Sequence, residues 1–331
     1  MANCHEQFVD FNSTITLTKD RKKKLKTSRT NLRNRVRDDF KTNHKDEIQP
    51  KFTSQGSSEM KTTINPIVRT VDEDGDKKSI TKYDTDDGIY FIGSLEDRKS
   101  VQTYHNWIKD AVDGYTTIPP IDKNTCVRTS FADGHHIDQP IYFVEEDNDS
   151  CPQLAHKKNG WIDSDPKEFT EWFNKQANKN EQLRCIVKYL KSWSDYQNFN
   201  DGTNKMPSGF VLTIWAANNF SSNDRDDLAL KNTLQNMYNS LSSNFECLRP
   251  SAPKNENVVE SYSYETYFMD KLEKFLDSAK QAINETNQKN ACFKWQKHLG
   301  SRFSCSTAKD EDEGAKSHSQ AAVISSNAKS A

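Results

Sequence analysis

The sequence Y-D-T-D-D-G-I-Y-F, residues 83–91, predicts a β-strand that carries paired carboxylates. Residues two apart on a strand point to the same face, so Asp84 and Asp86 project together while Asp87 faces the other way. Like charges held side by side repel unless a cation lies between them. Mg²⁺ suits such a pair because it takes carboxylate and phosphate oxygens in octahedral geometry. Taken alone, the peptide is also compatible with an acidic surface turn.

A second strand-like segment, H-I-D-Q-P-I-Y at residues 136–142, carries Asp138 between Ile137 and Ile141. A buried aspartate is costly without a partner. If this strand lies beside residues 83–91, Asp138 completes a three-carboxylate cluster of the kind that holds two metal ions about 4 Å apart. The neighbouring His135 and His136 are interpreted as structural or surface residues.

Upstream of the acidic strand lies the sequence Gln55-Gly56-Ser57. Glycine lets the backbone approach a phosphate closely, and Ser57 offers a hydroxyl and an amide donor. Such a pair alone is an ordinary turn, but before a D-x-D strand it indicates a phosphate site.

The surrounding pattern divides the chain into an α+β part and a helical part. Residues 17–44 predict one long helix, whose apolar stripe is accompanied by a basic run that is interpreted as a solvated face, with nucleic-acid contact as the alternative. Strands are predicted at 51–57, 80–92, 126–131 and 136–144, with an Asp74-Gly75 turn and a helix at 101–112. After residue 149 helices predominate, starting with the cap Asp165-Pro166 and continuing at 183–193, 210–220, 227–241, 264–284 and 291–299.

The predicted organisation is therefore a catalytic α+β lobe at 1–150, a helical lobe at 151–306 and a disordered tail at 307–331. A cleft between two such lobes is a natural ligand site.

Composition excludes several classes of protein. The 46 basic and 48 acidic residues give a net charge of −2, so the whole molecule is not a basic duplex-binding surface. Seven scattered cysteines without a C-x-x-C pair argue against a disulfide framework or a zinc site and predict reduced thiols in a cytoplasmic protein. We expect no signal peptide and no membrane span.

Together these motifs resemble the bacterial cGAS/DncV-like nucleotidyltransferases of CBASS anti-phage defence, and above all their dinucleotide cyclase branch. The resemblance rests on Q-G-S followed by Thr62 to Pro66, on D-T-D-D-G-I-Y and on H-I-D-Q-P-I-Y. It continues in the long N-terminal helix, in the segment from Trp161 to Asn174 and in the helix around Lys188. It implies an α+β fold with a polymerase-β-like core, in which a mixed sheet is spanned by a long spine helix, and a C-terminal helical lobe across the active-site cleft.

The resemblance also implies roles for individual residues. Gln55, Gly56 and Ser57 would cradle the donor phosphates, while Asp84, Asp86 and Asp138 would hold two Mg²⁺ ions, with Mn²⁺ as an alternative. Lys188, Lys191 and Ser208 would contact the triphosphate from the helical lobe. The two lysines are three apart on one helix face, and an exposed basic stripe is their other interpretation.

The implied activity is synthesis of a cyclic dinucleotide from ATP and GTP or a second nucleoside triphosphate, with release of pyrophosphate, in anti-phage signalling. The open alternatives are a linear oligonucleotide synthase, nucleotidyl transfer to RNA or protein, and a nucleotide-binding scaffold. The implied partners are the nucleoside triphosphates, a downstream effector that senses the product, and an E1/E2-like enzyme that conjugates the C-terminal tail. Neither a membrane nor a nucleic acid is required.

Overall fold

A computed structural model describes residues 1–73, 76–146 and 150–311. The predicted Asp74-Gly75 turn and residues 312–331 of the predicted tail lie outside the described residues. In the described part of the chain, no helix is both long enough and apolar enough to cross a membrane.

Two helices open the chain, α1 (His5–Ile15) and α2 (Lys19–Asn43). α2 is the predicted long helix, and Thr18 caps its start with a side chain that accepts a hydrogen bond from the Arg21 amide. The predicted stripe of Leu25, Leu32, Val36 and Phe40 is its buried face. α1 was not predicted from the sequence.

A mixed sheet follows, built from β1 (Lys51–Gln55), β4 (Asp84–Gly93), β5 (Ile121–Asp122), β6 (Cys126–Ser130), β7 (His136–Glu145), β8 (Gln153–His156) and β9 (Gly160–Asp163). Its order is β1-β4-β7-β6-β5, and β8 and β9 extend it from β7. β4 and β7 pair in parallel, whereas β1 and β6 flank them in antiparallel orientation. A separate hairpin, β2 (Arg69–Glu73) and β3 (Asp76–Ile80), precedes β4.

The remaining helices are α3 (Val101–Val112), α4 (Pro166–Ala177), α5 (Gln182–Asn200), α6 (Gly209–Asn219), α7 (Asp226–Ser243), α8 (Glu265–Asn284) and α9 (Gln288–Leu299). The predicted start of α4 is confirmed, since the Asp165 carboxylate accepts from the Lys167 and Glu168 amides. The other predicted helices of this part are present with bounds shifted by at most three residues, except that α5 continues to Asn200, seven residues beyond its predicted end.

The buried side chains form two clusters. One lies between α2, α3 and the sheet, and the other fills the helical part of the chain. α1 belongs to the second cluster, because Phe8 packs against Tyr189, Trp295 and Phe303. The N-terminal helix therefore packs with the helices that follow residue 166, although it precedes the sheet in sequence.

The expectation of reduced thiols is wrong for two of the seven cysteines. Cys292 on α9 and Cys305 form a disulfide, because the chain turns back at Gly300 and brings their Cα atoms to 5.7 Å. Cys4, Cys126, Cys151, Cys185 and Cys247 are free. A separation of 13 residues carried no sign of this pairing in the sequence.

Candidate active site

Four polar side chains share one face of the sheet at the start of β4 and β7. In the parallel register Asp84 lies opposite His136, and Asp86 lies opposite Asp138. Neighbouring positions of paired strands project to the same face. The predicted adjacency of the two acidic strands is thus confirmed. Asp87 faces the other way, fully buried, where its carboxylate accepts from Arg33 of α2 at 2.9 Å.

The cluster fits a divalent cation. Asp84, His136 and Asp138 each offer a ligand atom, and these atoms lie within 4.8 Å of one another. Burial, followed by the charges of Asp84 and Asp138, raises the pKa of Asp86 to about 7, although the charges of Arg128 and Lys123 oppose this shift. Crowded carboxylates of this kind are stabilised by a cation bound between them.

The pKa of Asp84 moves in the opposite direction. Burial would raise it, but the hydrogen bond and charge of His136, together with the charges of Arg128 and Lys191, lower it overall. The Asp84 side chain is 51% exposed and its Oδ2 lies 3.5 Å from His136 Nε2. Asp84 is therefore the carboxylate most open to the cleft and ionised at neutral pH.

Sequence reasoning missed the role of basic residues around Asp138. Arg128 of β6 lies directly opposite Asp138 and holds both carboxylate oxygens, through Nε and Nη2 at 2.6 Å each. Lys123 Nζ lies 3.6 Å from the same carboxylate. The alternation of the predicted strand at 126–131 was the one available signal, because it places Arg128 on a defined face. His136 was likewise assigned a structural role but lies in the carboxylate cluster.

The predicted Gly56 turn lies against the cluster. Gly56 has φ +72°, and a Cβ built on it would lie 2.4 Å from Asp86 Oδ2. Any other side chain would therefore collide with the carboxylate and strain the backbone. Ser57 Oγ lies 3.0 Å from Thr63 Oγ1, in the segment that follows.

Gln55 is buried beneath this turn. Its amide donates to the Tyr142 hydroxyl and its carbonyl accepts from the Tyr90 hydroxyl, both at 3.2 Å. The two tyrosine rings stack 4.8 Å apart. These contacts hold the end of β1, and with it the Gly56 turn, against β4.

The helical residues predicted to contact a triphosphate do not all reach the cleft. Lys191 lines it, and burial lowers the pKa of its ammonium to about 8 although Asp84 and Asp86 act against that shift. Lys188 lies outside the cleft and donates to Thr16 Oγ1 at 3.0 Å. Ser208 lines the cleft and caps α6, where its Oγ accepts from the Val211 amide.

The cleft itself has a volume of about 1340 Å³ and receives side chains from both parts of the chain. Asp84, Asp86 and the Gly56 turn line it from the sheet, and Lys191, Ser208 and Arg249 line it from the helical part of the chain, whereas Asp138 lies behind Asp86 and is not part of the lining. The volume exceeds the roughly 300–1,000 Å³ typical of a pocket for one small ligand. The cleft therefore has room for more than one small ligand.

Comparison with known proteins agrees with this geometry. Residues 50–142 match the family model for the nucleotidyltransferase domain of cyclic GMP-AMP synthase DncV-like proteins. That range contains the Gly56 turn and all three carboxylates.

Two curated relatives match part of the chain. A cyclic GMP-AMP synthase of Escherichia albertii is 30% identical over 189 residues, which are 54% of this chain and 39% of the relative. A cyclic AMP-AMP-AMP synthase of an Acinetobacter species is 28% identical over 152 residues, 43% of either protein. The chain spans about two fifths of the length of these relatives.

The same fold is found among solved structures. The Vibrio cholerae DncV cyclic AMP-GMP synthase in complex with nonhydrolyzable GTP has a TM-score of 0.75 to this chain at 20% identity. The match covers 92% of this chain and 97% of that one. The predicted α+β nucleotidyltransferase fold is confirmed.

Proposed function

We propose that this chain, whose residues 50–142 match the family model for DncV-like nucleotidyltransferase domains, synthesises a cyclic oligonucleotide from nucleoside triphosphates. The observation that carries the proposal is the parallel pairing of Asp86 with Asp138, directly behind the Gly56 turn. This arrangement joins a carboxylate cluster to a phosphate-accepting turn in one cleft. A cyclic dinucleotide that contains adenine is the proposed product.

The proposed reaction forms one phosphodiester bond in each step. A ribose hydroxyl oxygen of the acceptor attacks the α-phosphorus of the donor, the bond from that phosphorus to the bridging oxygen breaks, and pyrophosphate leaves with the electron pair. The hydroxyl proton passes to solvent. A second, intramolecular attack closes the ring.

Each group in the cleft has a defined task in this proposal. Asp84, Asp86 and Asp138 would hold two Mg²⁺ ions, or Mn²⁺ in their place. Bound ions supply charge neutralisation at the triphosphate and a lowered pKa of the attacking hydroxyl. The Gly56 turn and Ser57 would contact the donor phosphates, and Lys191 would add positive charge from the opposite wall.

The Arg128–Asp138 pair bears on how the third carboxylate is held. Both oxygens of Asp138 accept from Arg128, which fixes the plane of the carboxylate on β7. We assign Arg128 as an orienting residue for Asp138. For Lys188, the contact with Thr16 supports a structural role at the junction of α1 and α2.

The cellular setting belongs to the same proposal. The enzyme would act in the cytoplasm, where nucleoside triphosphates are available, and its product would be sensed by an effector in anti-phage defence. Conjugation of the C-terminal tail by an E1/E2-like enzyme is part of the same hypothesis, and it concerns residues outside the described chain.

One experiment separates the candidate activities. The purified protein is incubated with α-³²P-labelled nucleoside triphosphates and Mg²⁺, and the products are treated with phosphatase. We expect a phosphatase-resistant product of di- or trinucleotide size. A phosphatase-sensitive ladder would favour linear synthesis, label on added RNA or protein would favour transfer, and nucleotide binding without any product would favour a scaffold.

A further inference from the structure

Arg302 lies in the segment after α9, and its side chain forms hydrogen bonds to residues of the cleft wall. Its Nη1 donates to the Asn65 carbonyl at 2.7 Å. Its Nη2 lies 3.1 Å from Asp195 Oδ2 and 3.3 Å from the Ser192 carbonyl. One guanidinium therefore joins the end of the described chain to α5 and to the segment before β2.

The groups that Arg302 holds belong to the cleft lining. Asp195 lines the cleft, and so do Ile64 and Pro66 on either side of Asn65. Asp195 Oδ2 also accepts from the Ile67 amide at 2.8 Å, and Arg69 lies 3.6 Å from its other oxygen. Arg302 thus completes a network that fixes residues 64–67 relative to α5.

The Arg302–Asp195 pair at the centre of this network is largely removed from water. The side chains of Arg302 and Asp195 are 18% and 14% exposed. Charged hydrogen bonds in such an environment are stronger and more directional than those at a surface. A planar guanidinium can serve acceptors on two segments at once, which a lysine ammonium on a flexible stem does less well.

The segment that carries Arg302 is itself held in place by a disulfide and by packing against α1. Cys292 and Cys305 form the disulfide around it, and Phe303 is fully buried against Phe8 and Phe11. Beyond the disulfide, the Lys309 carbonyl accepts from the Lys289 amide of α9 at 2.9 Å. The disulfide loop therefore fixes where Arg302 stands.

We propose that Arg302 is a positioning residue for substrate binding, which couples the disulfide-closed segment at 300–305 to the cleft wall formed by Asp195 and residues 64–67. The inference rests on the proposed function, because the substrates are taken to be nucleoside triphosphates. Loss of Arg302 would leave Asp195 and the Asn65 carbonyl with fewer donors, so the wall would lose its fixed position. Reduction of the disulfide would act in the same direction, because it frees the loop that holds Arg302.

The test compares Arg302→Met, Arg302→Lys and the Cys292→Ser/Cys305→Ser double variant with the unaltered protein, in oxidised and reduced form. We expect Arg302→Met to raise the KM for ATP about tenfold while kcat changes less than about threefold. The KM of Arg302→Lys should lie between those of Arg302→Met and the unaltered protein. The double variant and the reduced protein should raise KM in the same direction. Calorimetric binding of α,β-methylene-ATP with Mg²⁺ should weaken in parallel.

Arg225→Met is the matched control. Arg225 holds the Asp227 carboxylate and the Ala2 carbonyl at 2.6–3.0 Å with a side chain that is 24% exposed, but it does not line the cleft. Arg225→Met should therefore lower the melting temperature without changing the KM for ATP.

The outcomes separate this inference from the proposed function. If the unaltered protein makes product and Arg302→Met lowers only its melting temperature or its kcat, Arg302 is structural and the inference is wrong. If Arg302→Met does not fold, the other two proteins decide the question. An unchanged KM for ATP in both Arg302→Lys and the reduced protein would show that the inference is wrong. A protein that makes no product and binds no nucleotide refutes the proposed function instead.

Discussion

Asp86 and Asp138 lie directly opposite each other on the parallel strands β4 and β7, with Gly56 packed against the first of them. This pairing combines three separate sequence motifs into one site. It also places like charges side by side, and the pKa of Asp86 is raised by burial first and then by the repulsion from Asp84 and Asp138. The proposed metal-binding role of Asp86 and the stability of the metal-free protein are therefore opposed at this position.

Asp86→Asn should abolish product formation and stabilise the metal-free protein. The variant removes a proposed metal ligand and also removes one of the clustered charges at pH 8, above the pKa of about 7. We expect the free energy of unfolding to rise by about 2 kcal/mol, measured by urea denaturation in EDTA. Asp110→Asn, on the exposed side of α3, should change neither quantity. Normal turnover in Asp86→Asn would refute the assigned metal site.

Gly56→Ala should reduce product formation at least about 100-fold, because the new methyl group would displace the Asp86 carboxylate, and shifts near 1 Å cost about that much. Gly114→Ala controls for backbone strain, since Gly114 has φ +66° and a Cβ added to it would meet nothing within 4 Å. Both variants should lose about 1 kcal/mol of stability. Equal activities of the two variants would show that contact with Asp86 is unimportant. Activity is measured with labelled triphosphates, and stability is measured by thermal unfolding.

The motifs on strands could be placed from sequence because strand geometry is local. Alternation predicts that Asp84 and Asp86 share a face and that Asp87 does not, and the structure agrees. The partner of Asp87 could not be predicted in the same way, because Arg33 lies 54 residues away on α2. Likewise the resemblance, and not the spacing, indicated that the strand of Asp138 lies beside that of Asp86.

The helical wall was harder to predict, because helix orientation depends on distant packing. Lys188 and Lys191 share one side of α5, yet only Lys191 lines the cleft, while Lys188 turns toward Thr16. The disulfide between Cys292 and Cys305 was missed for a similar reason: Gly300 marks the end of α9, but no local pattern shows that the chain then turns back and brings the two thiols together. Long-range contacts decided both cases.

Lys191→Met should raise the KM for ATP about tenfold, because it removes a positive charge from the wall that faces the carboxylates. Lys188→Met should change KM less than about threefold, since Thr16 Oγ1 also bonds to the Asn12 carbonyl at 2.6 Å and keeps a partner. The KM values of both variants are measured from initial rates with labelled ATP at saturating Mg²⁺. The reverse order of effects would show that Lys188 reaches the substrate and that the assignment to Lys191 is wrong.

The unfolding free energy should fall between pH 7.5 and pH 5 partly through His298. Burial, followed by the charges of Lys297 and Lys271, lowers the pKa of this imidazole to about 4 in the folded protein. The unfolded chain titrates near pH 6.5, so between the two values it binds more protons than the folded chain. The contribution of neutral His298 is therefore complete above pH 6.5 and is lost as the pH falls toward 4.

At pH 5 this loss amounts to about 2 kcal/mol. His298→Gln removes the titrating group and keeps a polar side chain near Ser278 Oγ, which lies 2.7 Å from His298 Nε2. We expect the variant to be less stable than the unaltered protein at pH 7.5 but to lose about 2 kcal/mol less on going to pH 5. Urea denaturation at the two pH values measures the difference. Parallel losses in both proteins would mean that His298 is already protonated in the fold, which its burial against Phe275 opposes.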